Sequence, residues 1–156
     1  MTSPHETALQ QPKTGDPAPK FSLPAFPSGT VSLDQFAGKK NVILAFYPKD
    51  DTPGCTKEMC AFSEDISQFE DASTVVLGIS CDNESSHEKF ASKFSLKQTL
   101  LADHTGETAK KYGVLGEGKS NASRVLFIID KNGVVQHVQE GIPENAKLLE
   151  LVRKLK

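Results

Sequence analysis

The sequence predicts an α/β fold: a central mixed β-sheet flanked by helices, with an N-terminal β-hairpin. Three observations carry this. Residues 41–47, 74–80 and 125–129 are apolar-rich runs of strand length. Between the first two, Met59, Phe62, Ile66 and Phe69 recur at spacings of three and four, the apolar stripe of a helix. After the third, Asn132-Gly133 signals a hairpin into residues 134–138. The first two strands and their helix make a βαβ unit, with parallel strands and a right-handed crossover. The hairpin then adds an antiparallel pair.

In chain order, residues 21–23 and 30–31 flank Pro27-Ser28-Gly29 and read as the N-terminal hairpin. Residues 32–36 suit one capped helical turn, ended near Gly38. The strand at 41–47 carries no turn residue. Thr52 then stands as an N-cap and Pro53 at the first helical position, starting a helix that ends near Glu70. Asn83 is placed to cap a helix over residues 84–94 bearing Phe90 and Phe94, and residues 106–112 read as another, stopped by Gly113. A last helix starts at Glu144, with Leu148, Val152 and Leu155 inward and Arg153, Lys154 and Lys156 at its negative end.

A chain of 156 residues with 37% hydrophobic content can bury one core, which suits a single domain over residues 15–156. Residues 1–14 have no apolar core and no arginine, so they read as a disordered tail rather than a signal or transit peptide. The net charge is -2, from 18 basic and 20 acidic residues interspersed, which implies neither nucleic acid nor an anionic membrane as partner. No stretch approaches the roughly 18 apolar residues of a membrane span. Three cysteines, an odd number, argue against a secreted disulfide framework and for a cytoplasmic protein.

The chemistry concentrates where the first strand meets its helix. Cys55 falls in the first helical turn, beside unpaired N–H groups and the positive end of the helix dipole, and both favour a thiolate over a thiol. A more acidic thiol is also a weaker nucleophile, so ionisation alone gives little rate. A fast cysteine there needs donors that polarise its electrophile in the transition state. Cys60 lies five residues on. On a regular helix the two Cα atoms would be about 8.6 Å apart, whereas a disulfide needs roughly 4.4–6.8 Å. A bond between them requires the first turns to unwind. No second Cys or His pair stands at finger-like spacing, so a structural zinc site lacks ligands.

The motif Pro48-x-x-x-Thr52-x-x-Cys55 resembles the active-site motif of the peroxiredoxins. The run Cys55-Thr56-Lys57-Glu58-Met59-Cys60 is similar to the subfamily called bacterioferritin comigratory protein or peroxiredoxin Q, and the likeness extends from Gly15 to Asp130. The resemblance implies a thioredoxin-like fold and a thiol-dependent peroxidase for hydrogen peroxide and organic hydroperoxides, an antioxidant enzyme without metal, haem or flavin. It makes Cys55 the peroxidatic cysteine, oxidised to a sulfenic acid, and Cys60 the resolving cysteine of an intramolecular disulfide. Thioredoxin or a glutaredoxin-like dithiol would reduce that disulfide.

By the same carry-over, Thr52 hydrogen-bonds peroxide and thiolate, Pro48 shields the site from water, and Arg124 is the cation near the sulfur. Gly54 joins Thr52, Cys55 and Arg124 as a substrate-binding position, and the subfamily favours a monomer. Two departures stand out: Met59 where a small residue is usual, and Val125-Leu126 after Arg124 where a Ser/Thr pair is more usual. Met59 beside the sulfurs bears on how easily the helix unwinds.

Glu58, one turn beyond Cys55, is a candidate to hold the Arg124 guanidinium. Cys81 ends the second strand, where burial is its default, and it stands in reserve as a resolving residue. Two other readings compete. A thiol–disulfide oxidoreductase would turn over a disulfide without peroxide, which the Cys-x4-Cys spacing speaks against. A non-catalytic redox sensor would oxidise without efficient recycling.

Overall fold

The computed structural model describes residues 11–27, 29–116 and 118–155. Its centre is a seven-stranded mixed sheet: β1 (Ser22–Phe26), β2 (Thr30–Ser32), β3 (Asn41–Phe46), β4 (Thr74–Ser80), β5 (Thr99–Ala102), β6 (Val125–Ile129) and β7 (Val135–Glu140), in spatial order β2-β1-β5-β4-β3-β6-β7. β3 pairs parallel with β4, Asn41 opposite Thr74, and antiparallel with β6, Phe46 opposite Val125. The helices are α1 (Pro53–Glu64), α2 (Ile66–Asp71), α3 (Glu84–Phe94), α4 (Glu107–Lys111) and α5 (Asn145–Arg153), with a 3-10 turn at Leu33–Phe36.

Both faces of the sheet are covered. Because side chains alternate along a strand, Ile43, Ala45 and Tyr47 face one way and join Met59, Phe62, Phe69, Phe90, Leu148 and Val152 from α1, α2, α3 and α5. Val42, Leu44 and Phe46 face the other, with Leu33, Ala109, Tyr112 and Val135. Every residue of β3 is buried, so its apolar run needs no alternation with polar residues.

Several expected signals act as proposed. Gln35 accepts the Ser32 N–H at 2.9 Å, closing one half of a capping box. Asn83 Oδ1 accepts from Ser86 N at 2.9 Å and caps α3. At Asn132-Gly133 only Gly133 is left-handed (φ 78°), and its N–H donates to Asp130 O at 3.0 Å. The β6–β7 loop is therefore a type I turn closed by a glycine.

The structure corrects two expectations. The helix expected from Thr52 to Glu70 is two helices, broken at Asp65. There the carboxylate accepts Asn145 Nδ2 at 3.0 Å and Gln68 Nε2 at 3.2 Å, and the backbone sits at φ -99°, ψ 10°. An aspartate that bonds locally competes with the helix ladder.

The second correction is β5, which was not foreseen. It is four residues long, with only Thr99 β-branched, yet it pairs parallel with β4 and antiparallel with β1 and so ties the N-terminal hairpin to the sheet. The tail is expected over residues 1–14. Residues 1–10 lie outside those described, but Pro12 is buried and Lys13 exchanges two hydrogen bonds of 2.9 Å with Asp16. Ser28, in the expected hairpin turn, and Lys156 also lie outside the described residues.

Candidate active site

β3 delivers the chain to the site and α1 carries it away, with the loop Tyr47 to Thr52 between. Asp50 ties that loop down. Its buried carboxylate accepts Tyr47 Oη at 2.6 Å and Ser86 Oγ at 2.7 Å, and bonds His87 Nδ1 at 2.7 Å. His87 Nε2 lies 2.8 Å from Leu101 O. A carbonyl only accepts, so Nε2 donates there. The Asp50 N–H donates to Asp82 Oδ2 at 2.8 Å. Burial, reinforced by the Asp50 charge, pushes the Tyr47 pKa well above its ordinary value, so its hydroxyl stays a donor. Asp51 follows at φ 58°, turning the anchored loop into the helix start.

Thr52 is the N-cap residue by position, with extended backbone, but it does not cap. Its hydroxyl donates to Lys49 O at 2.9 Å instead, and that bond closes the loop on itself. The expected contact from this hydroxyl to the sulfur is replaced by the one to Lys49, while the oxygen lone pairs remain to accept. Pro53 and Gly54 open the helix, and Pro48 is half-buried at the end of β3.

The Cys55 side chain is fully buried. Arg124, just ahead of β6, points Nη2 at its Sγ from 3.3 Å and Nη1 at Glu58 Oε1 from 2.9 Å. One guanidinium thus bridges two residues a helical turn apart on α1. Gly54 makes room for it: a Cβ there would stand 3.0 Å from Nη2. The need is for space, since Gly54 is not in the left-handed region.

Charges in this cluster are coupled. Glu58 is 2% exposed, and burial raises its pKa from 4.5 to about 7 although Arg124 pulls the other way. Burial alone would lower the Arg124 pKa, but its bonds to Cys55 and Glu58 outweigh that and leave it above its ordinary value. The cation is therefore permanent.

The structure brings Cys55, Gly54, Glu58 and Arg124 together, with Thr52 and Pro48 in the adjoining loop. It does not bring Cys60 to Cys55. All three cysteines are free, α1 is wound through both, and Cys60 opens onto a shallow cleft of about 270 Å³ lined by Ser63, Glu64, Phe94, Ser95 and Lys97. Burial, then the Glu64 charge, raises the Cys60 pKa. Cys81 packs against the core on the opposite face of the sheet, and burial followed by the Asp103 charge raises its pKa too. The sequence reading missed Asp50, Tyr47 and His87 as a unit. Their only linear signal was an acidic residue three positions after the buried run at 41–47.

Fold and site define a class: a thioredoxin-like protein built around one cysteine at a helix start, faced by a fixed cation. Comparison with known proteins narrows it. The model of the AhpC/TSA family matches residues 14–138. The protein named "Putative peroxiredoxin bcp" of Coxiella burnetii is 42% identical, over 92% of this chain and 98% of its own. Peroxiredoxin Q of Sedum lineare, a chloroplastic protein, is 40% identical over 89% of this chain and 78% of its own. Among solved structures, peroxidoxin BcpB from Mycobacterium tuberculosis superposes with a TM-score of 0.85 at 31% identity, covering 94% of this chain and 99% of that one. The chain belongs to the AhpC/TSA family and is a thiol-dependent peroxidase of the peroxiredoxin kind.

Proposed function

We propose that Cys55 is the peroxidatic cysteine, and the observation that carries this is Arg124 Nη2 lying 3.3 Å from its Sγ. The Cys55 thiolate attacks the terminal oxygen of hydrogen peroxide or an organic hydroperoxide. The O–O bond breaks, sulfur becomes a sulfenic acid, and water or an alcohol leaves after taking up a proton. Arg124 faces the charge that moves from sulfur to the departing oxygen, with Glu58 fixing its fork. Thr52, its proton held by Lys49 O, offers lone pairs to the peroxide O–H. Gly54 gives the guanidinium its room, and Pro48 limits water at the loop.

Cys60 then resolves the sulfenic acid. Its S–H loses a proton, the new S–S bond forms to Cys55, and the hydroxyl leaves as water. Because both cysteines sit on one wound helix, α1 must open first. A dithiol protein, thioredoxin or a glutaredoxin-like partner, reduces the disulfide. The enzyme works as a monomer in the cytoplasm, through one domain over residues 15–156. Among the described residues no helix is long and apolar enough to cross a membrane.

The test is peroxide consumption with thioredoxin and its reductase. Cys55→Ser is expected to be inactive, Cys60→Ser to react once and stop, and Cys81→Ser to run near the wild-type rate. If Cys81→Ser stopped turnover while Cys60→Ser did not, the resolving assignment would be wrong. Turnover of a disulfide substrate without peroxide would favour the oxidoreductase reading.

A further inference from the structure

Met59, the residue next to Cys60, is held through both its side chain and its backbone. Its side chain is fully buried, and its sulfur occupies space left by Gly78 of β4, where a Cβ would stand 2.9 Å from Sδ. Gln98, 3% exposed and just ahead of β5, donates from Nε2 to the Met59 carbonyl at 2.9 Å and reaches Met59 Sδ at 3.5 Å. A carbonyl can only accept, so the amide is oriented with nitrogen toward the helix. That orientation leaves Gln98 Oε1 buried without a partner. A glutamine that strands its own oxygen to hold one helical carbonyl is costly for stability alone. The neighbouring backbone adds a second tie, with Lys97 N donating to Ser63 Oγ at 3.0 Å.

We infer that Gln98 is a positioning residue for the resolving step: by gripping Met59 it holds α1 wound and sets how fast Cys60 reaches oxidised Cys55. The inference rests on the proposed pairing of those two cysteines. Closing the disulfide converts residues 55–60 from helix to loop, so the Met59 backbone must turn and its carbonyl must leave the Gln98 amide. Until then Cys55 remains a sulfenic acid. A second peroxide then competes with Cys60, oxidising that sulfur to sulfinic acid while its own O–O bond is reduced. The grip therefore sets the partition between disulfide and overoxidation. Met59 supplies the buried anchor that Gln98 holds.

The experiment is rapid-mixing oxidation of the full chain by hydrogen peroxide, with peptide mass mapping of the products, for wild type, Gln98→Leu and Gln98→Met. Either substitution removes the grip and the stranded oxygen while keeping the volume roughly constant. Loss of one hydrogen bond predicts disulfide closure about two- to tenfold faster, with a matching rise in the peroxide needed for half overoxidation. The first oxidation of Cys55 should proceed at the wild-type rate. Val135→Ala, in the core on the opposite face, controls for general destabilisation and should leave closure unchanged.

If both Gln98 variants close at the wild-type rate or slower, or if Val135→Ala accelerates closure as much, the inference is overturned while the cysteine pairing stands. If the wild type forms no Cys55–Cys60 disulfide, the pairing and the inference both fall.

Discussion

The two halves of α1 are held by different kinds of force. Residues 53–58 are tied to the body of the protein by the Arg124 guanidinium, through Glu58 at 2.9 Å and Cys55 at 3.3 Å. Residues 59–64 are held by packing, with Met59 and Phe62 fully buried, and by polar ties from Gln98 to Met59 O and from Asn145 to Ala61 O. Electrostatic ties can follow the charge on sulfur as it changes; buried apolar area cannot. On the proposed mechanism α1 both stabilises a reacting sulfur and opens afterwards, and it is accordingly responsive at its start and anchored toward its end.

That division fails if the halves cannot be separated by mutation. The largest effect should come from the anchored half: Phe62→Ala is expected to cost about 3–5 kcal/mol of stability. At a denaturant concentration where the variant remains folded, its first reaction with peroxide should match wild type. A slowed reaction in the folded variant would mean that packing and chemistry are one unit. In the responsive half the pattern reverses. Arg124→Ala removes the donor facing Cys55 Sγ, the proposed reacting sulfur, and should slow single-turnover oxidation about 10²- to 10³-fold, measured by stopped flow. An Arg124→Ala enzyme as fast as wild type would end the assignment of that cation.

Much of this layout was legible in the sequence, and the reasons are local. Thr52-Pro53-Gly54-Cys55 states where a helix starts and what stands in its first turn. The run at 41–47 states that a buried strand leads into it. The Glu58–Arg124 pair was legible as a candidate because one turn separates Glu58 from Cys55.

The Asp50–His87–Tyr47 cluster was not legible, since it bonds Asp50 to a residue 37 positions on and its meaning lies in burial, which only the fold decides. Gln98 was hidden for the same reason, and β5 beside it because four residues with one β-branched side chain carry little signal. Thr52 shows the limit in the other direction. Its position was read correctly, but Lys49 O competed for its hydroxyl.

Glu58 sharpens the comparison through pH. Its pKa in the folded protein is about 7 against an ordinary 4.5, so the folded state binds the extra proton. The group's contribution to stability is full below about 4.5 and is lost as pH rises through about 7. Glu58→Gln cannot titrate. Denaturation series from pH 4 to 8 should therefore show wild type losing stability relative to Glu58→Gln across that window. A parallel pair of curves would place the proton elsewhere.

The smallest expected effect tests the anchored half at its far end. Asn145 Nδ2 is shared between Ala61 O and Asp65 Oδ2, each at 3.0 Å, so it ties α5 to the point where α1 stops. Asn145→Ala removes one shared donor and leaves two half-exposed acceptors that water can reach, so the loss should be about 1 kcal/mol in urea denaturation. The Cys55 reaction should be untouched, because the hydrogen bonds of Arg124 and Glu58 do not involve Asn145. A change in the peroxide rate beyond about twofold would show that restraint at the end of α1 reaches its first turn, and the division drawn at Met59 would then have to move.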